Sequence, residues 1–472
     1  MKKNLILCMI ALMTMSFFVG AQEVSPVDFM KFNPYQVNSN VALREPYFGY
    51  IGVGIGNLSV SQRNSGVYYD NLFRFDNQGR PSVIDLNQFA ASLKPVNSIS
   101  TNSNVEIFGF GRQLKHGYLN VGYRVKMQSE GSFTDDLFRL LASGNSSFMG
   151  ENHAANVEMN FNLLAYQELA VGYQIDINKH LSLGARAKFL MGAANLNTDA
   201  FKVKLATDED TYAIRLYEDV AMRVNSPMPF TIGEDGFQFN NARFDFTNLF
   251  GNLGLGFDLA ADYRIDDCFS VVAAVNDLGL IHWKKNGVEV KGNLGNAGQF
   301  YDDGSFFFDG LSVNELQQII SDPSYREHFM DTLKSYFKLA SNPIDGYSTM
   351  LHANMLLRGC YTLNENNRFF VQAQGYCSGV GFRPAMTLAY NGSFFDVLDV
   401  CASYTMMRDS YTNFGLGLGL KLGIVQLYAT TNNVIGVFNP MNTKNFNAQM
   451  GLVFNIPYNF KDSGTAMHSR DN

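Results

Sequence analysis

The sequence predicts an all-β chain: a transmembrane antiparallel β-barrel of 14–16 strands with a helical insertion in one long loop. Three observations carry this. Hydrophobicity alternates with period two over runs near ten residues, the length a tilted strand needs to cross a bilayer. Beyond residue 21, no apolar run reaches the roughly 18 residues of a spanning helix. Short connections alternate with long ones, as the two rims of an outer-membrane barrel require.

Composition narrows the class further. Only 17% of the 472 residues are charged, against about 25% in ordinary soluble domains. With 40 Phe and 23 Tyr, the chain is not disordered, collagen-like or a coiled coil. A net charge of −7 lacks the basic stripe that nucleic acid demands. The mean hydropathy of −0.09 is too low for a bundle of membrane helices.

Along the chain, residues 1–21 come first. Lys2 and Lys3 precede an apolar run from Leu5 to Val19, then Gly20-Ala21. That is a secretory signal peptide, and Cys8 lies too early in it for a lipid-attachment site. Its removal would send the mature chain to the outer membrane of a Gram-negative bacterium. Four cysteines then remain, Cys268, Cys360, Cys377 and Cys401. They admit two disulfides in three pairings, but none sits in a CxxC, and small apolar wall residues describe them better. Residues 22–46 form an N-terminal segment, 47–460 the barrel and 461–472 a tail.

Sixteen stretches read as strands: 47–60, 104–114, 118–128, 157–177, 180–191, 201–206, 211–224, 251–265, 268–277, 349–363, 368–378, 384–392, 396–407, 412–421, 424–432 and 446–457. In 253–265, Leu253, Leu255, Phe257, Leu259, Tyr263 and Ile265 alternate with Gly254, Gly256, Asp258, Asp262 and Arg264. Leu119–Met127, Leu181–Met191, Leu351–Leu363 and Phe414–Leu422 repeat the pattern. If the last strand descends to the periplasm, the periplasmic turns are short (115–117, 178–179, 266–267, 391–395, 422–423). The other rim receives 61–103, 129–156, 225–250, 278–348 and 433–445. Within 278–348, Ser312-Val313-Asn314-Glu315 is a capping box ahead of Leu316, Ile319 and Ile320. Tyr325, Phe329, Leu333 and Phe337 then share a helix face. This insertion reads as a folded loop on the rim, or as a lid or docking element.

Several stretches resemble a family. They are Phe138–Asn145 with Phe148-Met149-Gly150, Tyr166–Tyr173, Leu183–Asn195, Leu427–Asn433 and Asn447–Leu452. Together they are similar to an uncharacterised Bacteroidetes outer-membrane family, a domain of unknown function that itself resembles the FadL-type barrels. Those are transporters of long-chain fatty acids and aromatic hydrocarbons. The resemblance implies a monomeric barrel of fourteen strands with its N-terminal segment folded inside as a hatch. Residues 22–46, with Phe32-Asn33-Pro34-Tyr35, would be that hatch. Two of the sixteen candidate strands would drop out, and the topology of the first third would change.

Chemistry-bearing motifs are few. The period-two glycines Gly52, Gly54, Gly56 and Gly415, Gly417, Gly419 complete no phosphate loop and read as small, closely packed barrel rows. Gly375-Tyr376-Cys377-Ser378-Gly379 looks like a nucleophile elbow but lacks the strand-to-helix turn one needs. The seven histidines have no zinc spacing, and Asp302-Asp303 lacks calcium-loop spacing. No catalytic residue, metal or cofactor is expected, and the chain is read as no enzyme.

Alternation points one charged set inward: Glu168, Asp176, Arg186, Lys188, Asp258, Asp262, Arg264 and Arg358. Such charges either fill a closed barrel with ion pairs or line a solute path. Phe454, Ile456, Tyr458 and Phe460 give the last strand the apolar-aromatic end expected of a signal for the barrel insertion machinery. The expected function is a FadL-like barrel for passage or binding of a hydrophobic small molecule, with Tyr118, Phe370 and Tyr376 inside. The alternative is an interaction or anchoring barrel for a surface-assembly or type IX secretion system. Expected partners are outer-membrane lipid, the insertion machinery, and a hydrophobic small molecule or a surface protein.

Overall fold

The computed structural model describes residues 24–458 apart from 45–46, 79, 151–152, 211–213, 227–229, 234–235, 240–250, 295–298, 301–305, 309–317, 319–320, 326, 329–336, 379–380 and 409. The signal peptide, the 461–472 tail and Phe460 lie outside the described residues. So do the capping box, Leu316, Ile319, Ile320, Phe329 and Leu333.

Fourteen strands close into one antiparallel barrel. They are β1 (Gly49–Asn64), β2 (Val96–Leu114), β3 (Gly117–Thr134), β4 (Ala155–Asp176), β5 (Leu181–Thr207), β6 (Leu253–Arg264) and β7 (Phe269–Trp283). The second half is β8 (Ala353–Asn364), β9 (Asn367–Ser378), β10 (Gly381–Phe394), β11 (Leu398–Met407), β12 (Ser410–Leu422), β13 (Val425–Thr431) and β14 (Asn445–Ile456). Closure comes from β14 against β1, with Gly49 opposite Ile456 and Arg63 opposite Asn445. A closed sheet leaves no strand edge, which is the condition for β-structure in lipid.

The residue-based count of sixteen strands is corrected at two places. Residues 201–206 do not cross separately, because β5 runs unbroken through them for 27 residues. The stretch 211–224 falls on Ile214–Asn225, which pairs with the far end of β5 beyond the barrel. The remaining fourteen stand in chain order, and the first third keeps its topology. The long connection is likewise more extended than its pattern suggested. Gly287–Leu294 pairs with Phe337–Pro343, so Phe337 belongs to a strand rather than to the predicted helix face. Gly287–Leu294 also pairs with Ile214–Asn225, and Tyr347–Met350 with β7. The result is a sheet rising from the long-loop rim.

The short rim is built by local side-chain chemistry. At the β4–β5 turn, Asn178 Oδ1 accepts from the amides of His180 (2.8 Å) and Leu181 (2.9 Å). Asp266 Oδ1 does the same for Cys268 and Phe269 at β6–β7. These are the aspartate and asparagine turns expected where a strand must reverse in few residues.

The two faces of the wall invert the order of a soluble protein. Leu255, Leu259, Leu357 and Phe414 are more than half exposed on the outside. On the inside, Asp258, Gln372 and Arg358 are buried. A bilayer is the solvent that such an apolar belt fits. Among the described residues no helix is long and apolar enough to cross a membrane; the strands do so. All four described cysteines are free, from exposed Cys268 to buried Cys401.

Candidate functional site

The chain's own N-terminal segment packs against the inner wall of the barrel. Residues 24–44 fold inside its short-turn half as two 3-10 turns, Pro26–Phe29 and Pro34–Asn38, capped by Ser25 and Asn33. Proline at the first turn position and a capping side chain start each turn, so this plug has local structure of its own. Phe29, Met30 and Tyr35 pack with Tyr50, Tyr118, Phe370, Cys401 and Tyr428 of the wall. Tyr118 and Phe370 therefore serve the plug rather than an open passage, and Tyr376 hydrogen-bonds His352 Nδ1 at 2.9 Å.

The period-two glycines explain how the plug fits. A Cβ on Gly417 would sit 3.1 Å from Met30 Sδ and from Pro26 Cβ, and one on Gly419 would sit 2.7 Å from Met30 Cε. On Gly52 or Gly56 it would collide with the Tyr35 hydroxyl, and on Gly184 with the Val41 carbonyl. At these five positions the wall lacks a side chain and the plug takes its place.

Arginines hold the plug by its backbone. Arg358 Nη1 donates to the Asp28 carbonyl at 2.9 Å, and Arg186 Nη2 to the Val37 carbonyl at 2.8 Å. Arg368 Nη2 reaches the Phe29 carbonyl at 3.3 Å. Burial pushes the Asp28 carboxyl above its ordinary range, opposed by the Arg358 guanidinium.

Above the plug, eight charges form a balanced layer. Arg124 meets Glu106 at 2.6 Å and Glu168 at 2.8 Å. Lys126 meets Glu168 at 2.9 Å and Asp277 at 3.2 Å. Lys188 meets Asp258 and Asp277, each at 2.6 Å, and Arg186 meets Asp258 at 3.3 Å. Four cations face four carboxylates, all buried.

Of the eight charged residues expected inside, Glu168, Arg186, Lys188 and Asp258 meet in this layer. Arg358 lies lower, on the plug. Asp176 sits at the short-turn rim, paired with Arg44 of the plug at 2.8 Å. Asp262 is half-buried and Arg264 exposed near the same rim. Four members of the layer were not singled out: Glu106, Arg124, Lys126 and Asp277. Arg124 and Lys126 stood in plain view on the polar face of 119–127. Asp277 was hidden by a bulge, since it takes φ 59° and both it and Asn276 turn inward. Period two cannot register an inserted residue. In the last strand Phe454 faces outward, Ile456 is half-buried, and the Tyr458 hydroxyl donates to Gln113 Oε1 at 3.1 Å.

The outer wall carries an apolar recess of about 1480 Å³. Small residues on both faces of β5–β7 form its floor: Ala185, Ala261 and Ala273 outside, Gly184, Ala260 and Ala274 inside. The inner set lets the wall rest on Val41 and Ala42 of the plug. Phe382, Met355, Met386 and Tyr411 border the recess.

A family model described as a family of unknown function (DUF5723) matches residues 42–432. No curated protein sequence matches. Solved structures with a similar architecture include the Pseudomonas putida toluene transporter TodX, at 8% identity over 92% of this chain and 97% of that one, TM-score 0.40. A Pseudomonas aeruginosa FadL homologue is 9% identical over 93% and 99%, TM-score 0.42. The translocator domain of the autotransporter NalP from Neisseria meningitidis is 10% identical over 86% and 89%, TM-score 0.30.

Proposed function

We propose that this chain, which belongs to the DUF5723 family of unknown function, is a plug-closed outer-membrane barrel that binds or passes a hydrophobic small molecule. The observation that carries this reading is the apolar recess of about 1480 Å³ on the lipid-facing wall. A hydrophobic solute partitions into such a surface from the bilayer, whereas a polar one meets a lumen closed by the plug and the ion-pair layer. The plug acts as a hatch, tied to the inner side of the wall that floors the recess. In this reading the signal peptide is removed on export. Phe454, Ile456, Tyr458 and Phe460 present the last strand to the insertion machinery.

Extraction of the purified barrel from native membranes tests this. A stoichiometric hydrophobic compound is expected in the extract. It should be lost when Ala273→Phe and Ala373→Phe fill the recess while the heat-modifiable gel shift persists. An empty extract, or one unchanged by filling, sinks the reading.

The sheet rising from the long-loop rim favours a second reading, an interaction or anchoring barrel for a surface-assembly or type IX secretion system. A surface protein co-purifying one-to-one, and lost on deleting residues 287–294 and 337–343, would carry it.

A further inference from the structure

Beside the ion-pair layer, between the plug and the long-loop side, lies a polar chamber that Lys126 of the layer also lines. Strand register stacks its walls. On β2 and β3, Ser100 stands opposite Glu130, Asn102 opposite Gln128, and Asn104 opposite Lys126. On β8 and β9, Asn354 stands opposite Tyr376 and Leu356 opposite Gln374. The plug residues Tyr35, Asn38 and Ser39 form the floor. The roof is a bridge across the lumen, in which Arg383 Nη1 donates to Glu130 Oε1 at 3.1 Å and to Ser100 Oγ at 3.0 Å.

Several of the polar atoms that line this chamber are unanswered. Asn102 Nδ2, Asn104 Oδ1, Asn354 Oδ1, Asn38 Nδ2 and the Tyr35 hydroxyl are buried without a hydrogen-bond partner. Further along β3, toward the bridge, both amide atoms of Gln128 and Glu130 Oε2 share that state. An unanswered buried polar atom costs about 1–3 kcal/mol, so a cluster of them marks a place for something that hydrogen-bonds. The space is about 70 Å³, enough for roughly half a dozen waters or a molecule of about six non-hydrogen atoms.

We infer that the chamber is a binding site for a small neutral polyhydroxylated solute of about glycerol's size, admitted from the long-loop side when the Arg383–Glu130 bridge opens. Charge argues for neutrality. Lys126 is engaged by Glu168 and Asp277, and Asp28 faces Arg358 at 3.9 Å, so no net charge awaits an ion. Amides argue for hydroxyls, because each presents both a donor and an acceptor, as a hydroxyl does. The site is independent of the outer recess and takes the opposite chemistry.

Saturation-transfer NMR on the refolded full-length barrel, with glycerol and with glucose, tests the inference. Transfer to glycerol and not to glucose is expected, with at least a tenfold loss in an Asn102→Leu/Asn104→Leu variant that keeps its heat-modifiable gel shift. An Arg383→Ala variant should keep glycerol binding and exchange it faster. Absence of transfer to glycerol in the folded wild-type barrel would mean the chamber holds water alone and would overturn the proposal. So would transfer that the leucines leave unchanged.

Discussion

In the layer containing Arg124, Lys126, Glu168 and Lys188, each charge has an opposite partner within 3.3 Å. A few residues further along the same strands, Asn102, Asn104, Gln128 and Glu130 all carry polar atoms with no partner. Both layers are buried and β2 and β3 contribute to both, so burial alone does not explain the contrast. Stoichiometry does. Four cations balance four carboxylates in charge, with Asn38, Asn120 and the Val37 carbonyl taking the remaining guanidinium donors and Glu106 Oε1 left over, whereas the amides carry no charge to pair and leave both donors and acceptors over. Buried charge alone therefore does not mark a ligand site; unanswered hydrogen-bonding capacity is the better sign.

The ion-pair layer should not tolerate the loss of a carboxylate. Glu168→Ala strands Arg124, Lys126 and Lys188 beside fewer carboxylates, and should destabilise the barrel by about 3–5 kcal/mol. Urea unfolding in lipid vesicles would read this. The outer face calibrates the scale: Leu357→Arg, on the lipid side of β8, should cost about 2–4 kcal/mol in the same assay. An intermediate effect is expected at the plug. Arg358→Ala removes a charged hydrogen bond to the Asp28 carbonyl, about 1.5–3 kcal/mol, and should appear as faster amide exchange confined to residues 24–44.

Asp28 sharpens that result through pH. Its folded-state carboxyl is raised by burial, so plug docking is strongest below the ordinary Asp value of about 3.9. It weakens as pH rises through the raised value. Exchange of 24–44, corrected for intrinsic rates, should speed up with pH in the wild type and stay flat in Asp28→Asn. The smallest effect belongs to the amide layer. Gln128→Leu removes two unanswered atoms and should leave stability within about 0.5 kcal/mol or raise it. A loss as large as that of Glu168→Ala would erase the distinction between the layers.

Much of the fold was legible because a membrane barrel writes its two faces into alternate residues. Leu253–Ile265 and Phe414–Leu422 show their true outward faces without further information. What alternation cannot carry is where a strand stops crossing. β5 keeps its hydrogen-bonded ladder well past the barrel, so 201–206 looked like a strand of its own. The ion-pair layer was half legible for a related reason. Asp277 turns inward at a bulge, and Glu106 precedes a register shift against β3. The glycine rows showed that something packs close, but only the fold reveals that it is the chain's own beginning. The chamber had no signature, since asparagines on a lumen face look alike whether or not their neighbours answer them.

The plug also bears on how the two ends of the chain meet. Ser25 bonds Thr430 across 405 residues of chain, and the barrel is sealed where β14 pairs with β1. Bringing such distant strands together carries a loop-closure cost that grows with the length between them. The plug is continuous with β1 and touches Gly417, Gly419 and Thr430 on the two strands before β14, so it works as a splint that holds the first strand beside the last.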